Sequence, residues 1–225
     1  MLTESAKTLV PKFFDETGAT YDGVVSYGTL GKDKYWKRKM LEQISDGSSF
    51  LDLACGTGIL TREIAKKFPN SKIVGIDITK SYLDVAKENS SHFDNISFTL
   101  DDAEEFKLDS KFDCITASYL PKYCDPEILV KNCTTHLKPG GKIIFHDFTY
   151  PKNLVVRGLW NLFLTSLRLV GCFIPSWKDA LIGLPKLIRK TKWLESYSDV
   201  MKKNGLSVNR QYLTCGASAI LTGTK

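Results

Sequence analysis

The stretch Leu51-Asp52-Leu53-Ala54-Cys55-Gly56-Thr57-Gly58-Ile59-Leu60 reads as the end of a short apolar strand, a turn of small residues and the start of a helix. Small side chains at Ala54, Gly56 and Gly58 let the backbone come close to a ligand above a sheet, while the next helix presents unpaired N–H groups. Such a turn cradles a dinucleotide or an adenosyl group; a tight turn with no ligand is the plainer alternative. A dinucleotide fingerprint needs a third glycine, and counting from Gly56 gives Gly58 and then Thr61.

Working outward, apolar runs alternate with helical patterns. Strands are expected at Ser49–Leu53, Lys72–Ile76, Ile96–Leu100, Cys114–Ala117 and Lys142–Phe148, with helices at Ile59–Phe68, Ser81–Asn89 and Pro126–Leu137, a helix or loop over Ala103–Leu108 and a Pro-Gly-Gly turn before the fifth strand. Two short strands, Leu206–Tyr212 and Ala217–Leu221, close the chain. This rhythm argues for an α/β, doubly wound, parallel sheet. Asp77 ends the second strand nineteen residues after Gly58, where a carboxylate can accept ribose hydroxyls. Each charged hydrogen bond of that kind is worth about 1.5–3 kcal/mol. A cap for the following helix is the competing role of Asp77. The acidic run Asp101-Asp102-Ala103-Glu104 follows the third strand, where a carboxylate can meet an adenine edge or simply be solvated.

With 225 residues, 43% hydrophobic and 25% charged, the chain fits one globular domain, which excludes disorder, collagen-like repeats and disulfide-stapled miniproteins. Six scattered cysteines without a CxxC pair, and three histidines, argue against a metal site or a disulfide framework. The amino terminus, MLTESAKTLVPKFFDET, lacks the apolar run of a signal peptide, so a reducing cytoplasm is expected.

The net charge of +6 is unevenly placed, because residues 152–192 hold eight basic side chains and one acid, Asp179. Within that region Leu154–Ile174 carries only Arg157 and Arg168 as charges; these arginines, with Gly158 and Gly171, argue against a membrane span. Trp160, Trp177 and Trp193, interleaved with Phe163, Phe173 and the basic residues, suit a membrane–water interface. A buried helical cap with a solvated basic rim is the alternative.

The segments SYGTLGKDKYWKR (26–38), LDLACGTGILT (51–61), VGIDITKSYLDVAKE (74–88), DAEEF (102–106), FDCITASY (112–119), LKPGGKIIFHDFTYP (137–151) and the terminal LTCGASAILTGTK resemble the class I S-adenosylmethionine-dependent methyltransferases. More narrowly, they resemble the ubiquinone/menaquinone-biosynthesis C-methyltransferases. The resemblance implies S-adenosyl-L-methionine as cofactor and a seven-stranded, Rossmann-like sheet. It divides a single domain into an N-terminal helical cap (1–46), a cofactor core (47–151), a helical lid (152–205) and C-terminal strands (206–225). Thr57, Asp77, Asp102, Ala103 and Ser118 fall on cofactor positions of the family, and Asp52, Ala54, Gly56, Gly58 and Ile78 complete the expected set. The family carries a Gly-Leu-Arg-Asn run after the fourth strand, and here the place reads Tyr119-Leu120-Pro121-Lys122-Tyr123; Phe145-His146-Asp147-Phe148 replaces a Leu-Glu-Phe type of strand end.

A sulfonium carries its own leaving group, so the protein must mainly align a nucleophile and exclude water, which can supply about 7–11 kcal/mol of the barrier. A ring-carbon acceptor needs an adjacent phenol to lose its proton, and His146, at the end of the fifth strand, is the first candidate base, with Tyr123 second and Asp147 orienting His146; a strand-end histidine hydrogen-bonded to backbone is the plainer alternative. The expected partner is a lipid-soluble small molecule approached at an anionic membrane surface; a phospholipid amine, another small molecule, a protein, a non-catalytic binding role and a dehydrogenase remain as alternatives. Ser118-Tyr119-Leu120-Pro121 lacks the Asn/Asp-Pro-Pro-Tyr element of amino-methylating nucleic-acid enzymes, and no Pro-Cys nucleophile occurs there, which argues against RNA. A homodimer is an expectation from the family alone.

Overall fold

The computed structural model describes residues 9–15, 17–171 and 173–225; at 11, 12 and 170 only the backbone is described. Residues 1–8 of the expected N-terminal cap, and Cys172, lie outside the described residues.

Seven strands form one sheet: β1 (Ser49–Leu53), β2 (Lys72–Asp77), β3 (Ile96–Leu100), β4 (Phe112–Ser118), β5 (Leu137–Phe148), β6 (Ser207–Leu213) and β7 (Ser218–Thr224), in the order β3-β2-β1-β4-β5-β7-β6. The first five run parallel, and β7 inserts antiparallel between β5 and β6. The chain winds outward from β1 to β3 and then restarts at β4 on the other side of β1. That reversal opens a crevice at the carboxyl ends of β1 and β4, the place where open α/β sheets bind ligands.

Side-chain alternation sorts the core into two layers. Phe50, Cys114, Ile144 and Ile220 pack on one face, against Trp36 and Met40 of α3 (Lys32–Gln43) and Leu60 and Ile64 of α4 (Ile59–Lys67), which follow α1 (Leu9–Phe14) and α2 (Tyr21–Gly28). Leu51, Leu53, Ile115, Ile143, Phe145 and Leu221 pack on the other face, beneath Leu129 and Val130 of α6 (Pro126–Thr135) and Trp193, Tyr197 and Met201 of α9 (Trp193–Lys203). Each fully buried side chain of this size contributes about 1.5–3 kcal/mol relative to exposure. Between these elements run α5 (Lys80–Asn89), α7 (Leu154–Gly171) and α8 (Lys178–Lys190). The start of α6 is specified locally, because Asp125 accepts from the backbone N–H groups of Glu127 and Ile128 while Pro126 occupies the first helical turn.

Of the helix or loop expected over Ala103–Leu108, the loop forms, and one local expectation changes: Pro139-Gly140-Gly141 lies inside β5, which begins already at Leu137. The irregularity appears as a register shift between Phe112 and Cys114 on the neighbouring strand, with Gly140 at φ +73°. Among the described residues no helix is long and apolar enough to cross a membrane.

Candidate functional site

The turn after β1 is held in a conformation that small residues favour, with φ of +50° at Ala54, +58° at Gly56 and +79° at Gly58. Gly58 serves the helix packing: it begins α4, and a Cβ there would lie 3.0 Å from Arg62 Nη1 and 3.3 Å from Ala86 Cβ. Gly56 instead leaves its side open toward Tyr21 and Tyr82 at ordinary contact distance. The Gly56 N–H donates to Asp77 Oδ2 at 2.8 Å, and the Thr79 N–H donates to Asp77 Oδ1 at 2.8 Å. One carboxylate thus joins the glycine turn to the start of α5, and burial raises its pKa against the pull of these donors. The Thr79 side chain and the Ile78 N–H also bond to this carboxylate.

Below the turn, Asp52 is enclosed in the sheet. Its two oxygens accept from Thr61 Oγ1 and Thr116 Oγ1, each at 2.7 Å, and burial pushes its pKa up to about 6. Thr57 Oγ1 donates to Asp22 Oδ1 of α2 at 2.5 Å, which ties the N-terminal helices to the glycine turn.

Ala54, Gly56, Asp77 and Thr79 border a cavity of about 170 Å³ at the carboxyl ends of the parallel strands. Ala54, Gly56, Asp77, Ile78, Asp102, Ala103 and Ser118 form its sheet-side wall. The facing wall is aliphatic and aromatic, built from Val10 and Phe14 of α1, Val24 of α2, Leu164 and Leu167 of α7, and Leu181 and Leu184 of α8. A smaller recess of about 30 Å³ shares Tyr21, Ala54, Gly56, Ser118 and Tyr119 with the cavity and adds Lys37, Asp52 and Thr57. Gly58 lines neither space.

His146 corrects the expectation of a base. It lies fully buried inside the sheet and outside both spaces, with Nε2 2.6 Å from Ser218 Oγ and Nδ1 3.0 Å from Ser118 Oγ. Burial, reinforced by the charges of Lys37 and Lys122, lowers its pKa well below the usual range. Both nitrogens are engaged within the fold, so the ring holds β4, β5 and β7 together and cannot reach an acceptor. Asp147 does not orient it, because successive strand residues point to opposite faces. The Asp147 carboxylate instead meets Lys122, with Nζ at 2.9 Å and the Lys122 N–H at 3.1 Å.

Tyr123 lines the cavity, and its buried hydroxyl has no hydrogen-bond partner among the described residues; Trp160 Nε1, on another cavity residue, is in the same condition. Desolvation raises the Tyr123 pKa above its usual range, which favours the protonated phenol and weighs against its expected role as a base. Lys122, which sequence reading passed over, stands 4.4 Å from the Tyr123 ring centre and borders the cavity. Its only sequence signal is a cation in the apolar run after β4. Tyr119 was also missed: it sits at φ +66°, and its hydroxyl donates to Asp33 Oδ1 at 2.8 Å, the carboxylate that pairs with Lys37. The Asp33–Lys37 spacing of one helical turn was the available signal.

Comparison with known proteins places this geometry. A family model described as a methyltransferase domain matches residues 44–168. The chain is 30% identical over 226 residues to the ubiquinone/menaquinone biosynthesis C-methyltransferase UbiE of Hahella chejuensis, covering 96% of this chain and 91% of that protein. The protein of the same name from Saccharophagus degradans is 28% identical over 222 residues, covering 94% and 89%. Among solved structures, the plantazolicin methyltransferase BpumL in complex with a monoazolic desmethyl analogue and SAH superimposes with a TM-score of 0.68 at 14% identity, over 98% of this chain and 93% of that one. The putative methyltransferase bound to the Haloferax volcanii Trm112 activator gives 0.66 at 16%, over 94% and 96%. At such identities these two structures speak for the fold. Together with the relatives, they lead to one conclusion: this chain is a member of the S-adenosylmethionine-dependent methyltransferase family to which the ubiquinone/menaquinone biosynthesis C-methyltransferases belong.

Proposed function

We propose that the protein methylates a ring carbon of a prenylated quinol precursor, working as a peripheral enzyme at the cytoplasmic face of a membrane. The observation that carries this reading is the cavity itself. A glycine turn, the buried Asp77 carboxylate and the half-buried Asp102 form one wall, and an apolar wall from four helices faces them, with Lys122 and Tyr123 in the lining. Such a lining suits a lipid-soluble acceptor with few polar groups.

The donor set fits the cofactor. Asp77, which lines the cavity at the end of β2, would hold the ribose hydroxyls; Ile78 and Ala103 would flank the adenine, and Asp102 would meet its amino edge. Asp52, Ala54, Gly56, Thr57 and Ser118 would surround the methionine portion, where the Asp52 carboxylate favours a cationic amine. Gly58 shapes the turn without contact. S-adenosylmethionine, when bound, supplies an electrophilic methyl group, so the chain has to align the acceptor and keep water out.

In this reading the phenol gives its proton to water before the methyl group is transferred, and the ring carbon's proton leaves to the phenolate oxygen or water as the ring regains aromaticity, so no side chain is assigned as the base. The Lys122 ammonium, held by Asp147 and the Tyr119 carbonyl, favours the phenolate of a nearby acceptor, whose ordinary pKa is about 10. The Tyr123 hydroxyl and the Trp160 indole N–H, both lacking protein partners, donate to the acceptor's ring oxygens. The basic residues of 152–192 favour an anionic membrane surface as the place where such an acceptor is met.

Incubation with methyl-labelled cofactor and a total lipid extract tests the proposal. Label on a quinone is the expected result. Label on phospholipid headgroups would transfer the site to phospholipid N-methylation, and label appearing only with added RNA would overturn both.

A further inference from the structure

Helix α7 is apolar on two opposite faces. Trp160, Leu164 and Leu167 turn inward and border the cavity. On the outer side Val155, Leu159, Leu162 and Leu169 fall at i, i+4, i+7 and i+14, a single stripe along the helix, and Phe173 follows just beyond its end. These five side chains are between 64% and 86% exposed. Of the twelve large apolar side chains that stand exposed among the described residues, six lie between Leu154 and Phe173. A helix that is apolar all round is normally buried, and a concentrated exposed apolar face marks a contact surface.

The surroundings select the occupant. Lys152, Lys178, Lys186, Arg189, Lys190 and Lys192 are exposed. Arg189 donates to Asn161 Oδ1 of α7 at 2.9 Å, which fastens the basic end of α8 alongside α7. With eight basic side chains and one acid in residues 152–192, a second copy of this face would meet the first with like charge. A surface that is aliphatic along its centre and basic at its flank matches a bilayer with anionic headgroups.

We infer that the outer face of α7 docks on an anionic lipid surface, with Val155, Leu159, Leu162, Leu169 and Phe173 entering the headgroup–acyl boundary. The same helix is then the membrane contact on one side and the cavity wall on the other, so a lipid-soluble acceptor reaches the cavity without crossing water. The inference rests on the lipid-acceptor reading above only for its purpose; the docking itself is measured separately.

The test is flotation with quinone-free vesicles of phosphatidylcholine, alone or with phosphatidylglycerol, using the full chain and the variant Leu159→Gln/Leu162→Gln/Leu169→Gln. None of the three positions lines the cavity, so melting temperature and S-adenosylmethionine affinity should be unchanged while vesicle affinity falls at least tenfold. The single variant Leu162→Gln should show a smaller loss. Lys186→Gln/Lys190→Gln/Lys192→Gln should weaken binding to the anionic vesicles at low salt and match the native chain at high salt. Native-like vesicle binding by the triple leucine variant overturns the inference, as does a native dimer that this variant converts to monomers. Because the vesicles hold no quinone, failure to methylate a quinone leaves this result standing, and methylation without vesicle binding overturns this inference and the peripheral location while leaving the quinol acceptor standing.

Discussion

The Lys122 ammonium and the Asp147 carboxylate lie 2.9 Å apart with side chains 2% and 0% exposed. Burying two charges is expensive, and an apolar pair of similar volume is often as stable. Here the pair also places a cation at the wall of the cavity. Lys122→Met or Asp147→Asn alone should therefore lower stability by about 3–5 kcal/mol. The double variant Lys122→Met/Asp147→Leu should recover most of that stability and still lose about 100-fold in kcat. Denaturant unfolding and turnover measured together check this, and a double variant with native kcat would reduce the pair to a structural one.

The Tyr123 hydroxyl predicts the opposite pattern. It has no protein partner to lose, so Tyr123→Phe should leave stability unchanged or slightly higher. Its kcat should fall about tenfold, in line with one lost hydrogen bond to the acceptor, at unchanged cofactor affinity. A clear loss of stability in this variant would contradict the unpaired hydroxyl.

Cofactor binding should depend on Asp77. Asp77→Ala removes the oxygens proposed for the ribose, and also the acceptor of the Gly56 N–H. Titration calorimetry should show S-adenosylmethionine affinity at least about tenfold lower. Native affinity would remove Asp77 from the cofactor site.

Asp52 carries a pH signature. Its pKa in the folded chain is about 6, raised by burial from the ordinary value of 3.8. The stability it contributes is complete below the unfolded pKa and is lost as pH rises through about 6. A cationic ligand prefers the carboxylate, so S-adenosylmethionine affinity should rise between about pH 5 and 7, and Asp52→Asn should flatten both dependences. Affinity equally steep in the variant would assign the titration to another group.

His146 should behave as a structural residue. Its ring bonds to Ser118 and Ser218, and His146→Ala should lower stability by about 1–3 kcal/mol. The shape of the kcat/KM pH profile should not change. Disappearance of an inflection near neutral pH in this variant would restore His146 as a base.

The parts of the molecule legible in the amino-acid order are those governed by short-range rules. Strand and helix alternate with the periods of their apolar residues, so β3 at Ile96–Leu100 was readable to the residue. The turn at Ala54, Gly56 and Gly58 was readable because its backbone enters the left-handed region where small residues are favoured, and Asp77 because it ends the neighbouring strand. Three-dimensional packing settled the rest. His146 and Asp147 are adjacent in the chain, yet one bonds between strands and the other meets Lys122, because the pleat sends them to opposite faces and only the packed layers show what each face holds. The apolar wall joins Phe14 to Leu181 across most of the chain, and of the turn glycines Gly56 meets the cavity while Gly58 is packed against Arg62 and Ala86. In the same way α7 reads in sequence as one apolar stretch; its division into a cavity face and an exposed face exists only once α8 and the sheet have taken one side of it.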